Sequence, residues 1–173
     1  MDTLECLKTR RSVRAYKPDA VPTELIDKML EAGTFAPTGM GRQSPIIVAI
    51  TNKEVRDQLS KLNAGVMGSD DDPFYGAPAV LVVLARKDVP THVYDGSLVM
   101  GNLLNAAHEL GLASCWIHRA KEEFETDEGR AILAGLGIDA DEYEGIGNCI
   151  VGYAEGAEPE AKPRKEDYIF RIA

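Results

Sequence analysis

Apolar residues along the chain follow two periods, and the changes between them mark the elements. After Asp2 or Thr3 the spacing predicts a short helix that carries Leu4 and Leu7 inward. Leu25, Ile26, Met29 and Leu30 form one stripe at helical spacing. They predict a helix from Thr23 to about Thr34, with Thr23 as N-cap and Glu24 in the first turn. Residues 36–45 are rich in turn formers and keep neither period. Ile46–Ile50 is a short β-branched run, hence a buried strand, and Asn52 can cap a helix through Leu62. Three glycines and the triple acid Asp70–Asp72 make residues 63–76 a loop. Ala79–Ala85 reads as a second strand.

Thr91 to Leu110 is the strongest helical segment, and it stops on Gly111 as a helix should. Its Leu98, Leu103, Leu104, Ala107 and Leu110 cover much of the circumference, the mark of a deeply buried helix. Ser114–His118 is predicted as a strand, Phe124–Leu136 as a helix and Cys149–Tyr153 as a last strand. The Glu- and Pro-rich stretch Ala154–Lys165 has no period and is expected to lie over a surface. Taken by pattern alone, this alternation suggests a parallel α/β sheet. The nucleotide fingerprints of such sheets are missing. There is no Gly-x-Gly-x-x-Gly turn and no Gly-x-x-x-x-Gly-Lys-Ser/Thr loop.

A length of 173 residues fits one domain spanning 1–173, against about 100–200 residues for a typical domain. The net charge of −9 argues against nucleic acid or an anionic membrane as partner. The charge is unevenly placed, however. Lys8, Arg10, Arg11, Arg14 and Lys17 fall in ten positions without an acid, and Lys162, Arg164, Lys165 and Arg171 follow near the other end. Two basic ends on an acidic protein can converge on an anion such as a phosphate, or can be solvated tails. The first 20 residues hold no apolar core for an export signal, and Ala77–Ala85 is too short to cross a bilayer. A cytoplasmic protein is expected, with Cys6, Cys115 and Cys149 as reduced thiols.

Some chemistries can be set aside. His92, His108 and His118 are too scattered to suggest a metal site, and Cys115 with His118 is a single close pair. Three residues apart on a strand, that pair would point to opposite faces, which defeats a nucleophile and base arrangement.

What remains is an ordered set: Arg10-Arg-Ser-Val-Arg-Ala-Tyr16, Ala36-Pro-Thr-Gly-Met40, Gly111-Leu-Ala-Ser-Cys-Trp-Ile117, a Gly152-Tyr153 strand end, and Lys162-Pro-Arg164. Across nearly the whole chain it resembles the nitroreductase family of FMN-dependent oxidoreductases. The resemblance implies an α+β fold with a mainly antiparallel central sheet flanked by helices, in an intertwined homodimer. It therefore overrides the parallel sheet that the pattern suggests. It also implies FMN as cofactor, with its phosphate and ribityl oxygens held by Arg10 and Ser12, Arg11 beside them, and Lys162 and Arg164 closing on the phosphate.

By the same resemblance Arg14 stands near the pyrimidine edge of the flavin, where a fixed cation favours the anionic reduced form. Pro37, Thr38 and Gly39, with Gln43, belong to a segment that reaches the flavin from the other subunit. Trp116, Ile117, His118 and Arg119 form the strand end whose backbone N–H groups face flavin N5 and O4. Trp116 fits a core position equally well. Gly41 stands where relatives often carry Asn, and Gln43-Ser44-Pro45 where they often carry Gln-Pro-Trp. These departures bear on substrate class.

The implied activity is reduction of a nitroaromatic, quinone or related conjugated small-molecule acceptor by NADH or NADPH, in a ping-pong reaction through flavin N5. No side chain is named as acid or base. Two alternatives stay open: dehalogenation or ring dehydrogenation on the same fold, and a non-catalytic FMN-binding protein.

Overall fold

Among residues 1–172, which the computed structural model describes, four strands form one sheet in the order β1-β2-β4-β3, antiparallel at every pairing. The strands are β1 (Pro45–Ile50), β2 (Ala79–Arg86), β3 (Ala113–Ile117) and β4 (Tyr143–Gly152). The helices are α1 (Thr3–Thr9), α2 (Thr23–Thr34), α3 (Lys53–Met67), α4 (His92–Glu109), α5 (Ala120–Glu125) and α6 (Asp127–Ala134).

Both faces of the sheet are covered. Val80, Val82 and Leu84 of β2 enter one core with Leu59 of α3, Phe124 of α5 and Leu133 of α6. Leu81, Val83 and Ala85 enter the other with Met29 of α2 and Met100 and Leu103 of α4. Each buried Val or Leu side chain contributes about 1.5–3 kcal/mol relative to exposure. Opposite Val83 and Leu84, β4 carries one extra residue, so that Val83 faces Gly147 and Leu84 faces Gly145. This bulge bends β4 where its neighbours crowd in. A Cβ on Gly147 would lie 2.3 Å from the Trp116 indole nitrogen.

The sheet corrects the parallel reading taken from pattern. The run in β2 is continuously apolar because both of its faces are dry, a signature that covered antiparallel strands share with parallel ones. Several boundaries move as well. β4 begins six residues before Cys149, its period hidden by Gly145, Gly147 and the buried Asn148. α3 runs on through Gly65 to Met67 and closes on Gly68 in the left-handed region, so only the rest of 63–76 is loop.

The segment expected as one helix over 124–136 is two. Thr126 ends α5 and, with its hydroxyl accepting from the Gly129 N–H, starts α6. Thr23 is the first residue of α2 rather than its cap, and Pro22 holds the cap position. In α1 it is Cys6 that is buried, donating its Sγ hydrogen to Asn105 O (3.4 Å), while Leu4 and Leu7 stay exposed. The last stretch, 155–172, is exposed throughout, after a bridge between Tyr16 and Ala154.

The α5–α6 corner is tight. A Cβ on Gly129 would stand 2.0 Å from the Glu123 carbonyl oxygen. Gly129→Ala should lower stability by about 1–3 kcal/mol, although alanine ordinarily favours a helix. Thermal unfolding checks this, and an unchanged or raised Tm would show the corner to be loose.

Candidate functional site

Residues 10–16 run as an arm along the open edge of the sheet. The Val13 N–H donates to Ser114 O (3.1 Å), Ser12 bridges Ser114 in parallel, and the Lys17 N–H donates to Tyr153 O (2.9 Å). Val13 and Tyr16 anchor the arm by burying their side chains, and the Tyr16 hydroxyl donates to Val13 O (2.8 Å). Arg10, Arg11 and Ser12 are half-buried as a result, while Arg14 is exposed.

Arg10 Nη1 is buried and has no hydrogen-bond partner among the described residues, and neither has Ser114 Oγ, beside which the arm passes. A buried donor left unpaired costs about 1–3 kcal/mol, and more when it is charged. Arg11 is differently placed, because its guanidinium donates to Lys8 O and Arg10 O at 2.8 Å and so closes the end of α1. Lys162 and Arg164 are exposed, and Arg164 donates to Lys162 O (2.8 Å). Among the described residues no hydrogen bond or ion pair joins them to Arg10 or Ser12.

The other end of β3 carries Trp116, Ile117, His118 and Arg119. Ile117 is buried in the core, Trp116 lies half-buried against Gly147, and the His118 side chain is exposed. Arg119 has a φ of 77°, a left-handed conformation uncommon for a side-chain-bearing residue. Trp116, His118 and Arg119 line a cleft of about 250 Å³ with Lys121 and Glu144, which are ion-paired at 3.0 Å.

The turn 37–43 sits elsewhere. Its backbone is held by Asp95, which is buried and accepts from the Gly39 N–H (2.9 Å), Thr91 Oγ (2.9 Å) and Ser44 Oγ (3.3 Å). Gly39 permits close contact with Thr91, since a Cβ there would be 2.3 Å from its hydroxyl. Met40 and Gln43 both have positive φ. Pro37 is exposed, and Thr38 and Gln43 line a second cleft of about 360 Å³. The two clefts share no residue, so within one chain the turn and the β3 end are not brought together.

Asp95 escaped the sequence reading, although Thr91 and Asp95 at i and i+4 in the first turn of a helix were a usable sign. A second group was also missed. Glu123 is fully buried and accepts from Asn63 Nδ2 and, at 2.9 and 3.0 Å, from Asn148 Nδ2. Burial pushes its carboxyl up to about 7, against the hydrogen bonds from the two amides and the nearby Arg119 charge, which favour the anion. Cys6, Cys115 and Cys149 are buried free thiols, and burial pushes Cys6 and Cys149 upward.

An antiparallel sheet between two helical layers, edged by a basic arm whose Arg10 N–H is unpaired among the described residues, defines an α+β domain. The chain belongs to the nitroreductase family, whose profile matches residues 7–153. A Methanothermobacter thermautotrophicus protein with the provisional name NADH dehydrogenase/NAD(P)H nitroreductase is 35% identical over 121 residues, covering 67% of this chain and 60% of that protein. An FMN reductase [NAD(P)H] of Bacillus subtilis is 27% identical over 130 residues, covering 65% of this chain and 52% of its own length. The chain thus spans little more than half of either relative. A crystal structure of a nitroreductase with bound FMN from Bacteroides fragilis superposes with a TM-score of 0.89 at 29% identity, covering 100% of both chains. No helix among the described residues is long and apolar enough to cross a membrane.

Glu123 makes stability depend on pH. The folded chain holds its proton up to about pH 7, against an ordinary value of 4.5, so the stabilisation is complete below about pH 4.5 and lost as pH rises through 7. Glu123→Gln, which cannot ionise, should gain about 1–3 kcal/mol on the wild type at pH 8 relative to pH 5. Urea unfolding at the two pH values measures the difference, and an equal offset at both would contradict the raised carboxyl.

Proposed function

We propose that the chain binds FMN and uses NADH or NADPH to reduce a small conjugated acceptor of the nitroaromatic or quinone class. The observation that carries this reading is Nη1 of Arg10, a charged donor that is buried yet unpaired among the described residues. A phosphate fits it by charge and hydrogen-bond geometry. Ser12 lies two residues further along the arm, and the unpaired Ser114 hydroxyl lies beside Ser12. When bound, FMN would supply the redox chemistry between the nicotinamide and the acceptor.

The chain's own residues bind and orient. Arg10 and Ser12 hold the phosphate, and Lys162 and Arg164 close on it from the exposed last stretch. Arg11 supports the arm by capping α1. Arg14, exposed on the same arm, supplies positive charge at the pyrimidine edge. Trp116–Arg119 present backbone to the rest of the ring system. From Ser114 to His118 is four residue steps, about 13 Å along an extended strand, so β3 separates a phosphate end from a ring end.

Pro37, Thr38, Gly39 and Gln43 serve the site of the other copy in a homodimer. Two observations support that assembly. The turn lies in a different cleft from the β3 end of its own chain. Apolar side chains are exposed near it, with Met40 at 88%, Phe35 at 77% and Tyr94 at 73%, and Leu98 follows on the same helix.

Arg10→Ala and Lys162→Ala should each weaken FMN binding about ten- to a hundredfold, from about 1.5–3 kcal/mol for a charge-assisted hydrogen bond. Fluorescence titration of the flavin-free protein measures this. Unchanged affinity in both variants would refute the phosphate assignment. Failure of anaerobic NADH and NADPH alike to bleach bound flavin would refute the reductase.

A further inference from the structure

Three elements meet behind the β3 end at side chains that the proposed reaction does not use. Asn63 of α3, Glu123 of α5 and Asn148 of β4 are all fully buried. The Asn63 amide does three things at once. Its Nδ2 donates to His118 O (2.8 Å) and to the Glu123 carboxylate, and its Oδ1 accepts from Arg119 Nε (3.0 Å) and Nη2 (2.8 Å). Asn148 pairs with Ile117 in the sheet register. The backbone of residues 117–119, including the left-handed Arg119, is therefore tied to Glu123 through one amide and one strand pair.

The hydrogen bonding of this cluster depends on whether Glu123 carries a proton. As a carboxylate, Glu123 accepts from both amides, and Asn148 Oδ1 is buried without a partner among the described residues. As an acid it has one O–H to donate. One carboxyl oxygen then donates instead of accepting, so the bonds from the Asn63 and Asn148 amides must rearrange around it. The charged neighbours acting on Glu123 are Arg119, which favours the anion, and Glu122, which opposes it. The groups facing it from α3 and β4 are neutral amides, and α6 presents Gly129.

We propose that Glu123 is a positioning residue: through Asn63 it sets the His118–Arg119 backbone, and gain or loss of its proton changes how that strand end meets the flavin. This rests on the proposed placement of FMN. It makes the ring end of the site, rather than the phosphate end, the part that responds to pH.

The chain's single tryptophan, Trp116, lies on the other face of the sheet from the cluster, but it belongs to the strand end that the cluster ties down, so its emission reads that end without flavin. Its emission in the flavin-free protein should pass through a transition near pH 7, and the visible band of bound FMN should follow the same midpoint. Glu123→Gln should abolish both, while His118→Asn should keep them. Arg119→Met removes the cation that favours the carboxylate and should move the midpoint upward. A wild-type midpoint in the folded Glu123→Gln protein would overturn the proposal. If that variant does not fold, an unmoved midpoint in Arg119→Met overturns it instead. A Trp116 transition with an unmoved flavin band would overturn the positioning role alone, whereas failure of the wild type to bind FMN would overturn the reading beneath it.

Discussion

Strand β2 has no face to spare for water. Its alternate residues belong to two different cores, so both helical layers must be in place before the strand is dry. That requirement sends α2 and α4 to one side and α3, α5 and α6 to the other. It leaves the hydrogen bonds of β2 to be met in-plane by β1 and β4. With both faces of β2 filled, the basic arm and the 37–43 turn are left to the rim. The basic arm accordingly attaches to the outer edge of β3, and the 37–43 turn to the start of α4.

Much of the fold was legible because burial leaves a period. The stripe of α2, the apolar run of β2 and the glycine after α4 all lie where the pattern puts them. Failures occurred where side chains carry little pattern. β4 opens with Tyr143, Glu144 and two glycines, yet it sits between two strands, and its small residues are there because Trp116 and Ala120 press against them. Strand direction was out of reach of periodicity. A strand covered on both faces looks the same whichever way its neighbours run, and the antiparallel expectation came from family resemblance alone. Leu4 and Leu7 misled because a two-turn helix at the surface has room to bury one position, which Cys6 takes.

The candidate site divides along the same line. The arm was legible as charge, since five bases without an acid in ten residues are visible in the bare sequence. Its unpaired guanidinium was not, because pairing is a property of surroundings. Nothing in the sequence singles out Asn63, Glu123 and Asn148, and only the meeting of α3, α5 and β4 makes them a dry, mutually dependent group. Asp95 is a similar case. A lone acid in a helix reads as solvated, but here three donors converge on it and fix the shape of a strained turn.

The three thiols have a use that the chain itself does not need. Cys115 lies in the core under α3, α5 and α6, Cys149 in the core under α2 and α4, and Cys6 between α1 and α4. On neighbouring strands but opposite faces, Cys115 and Cys149 cannot join without dismantling the sheet. Each is shielded by a different part of the molecule, and each reacts only when that part opens. The rate at which a thiol reagent reaches each position is therefore a clock for one layer, and the three together time the order in which the structure comes apart.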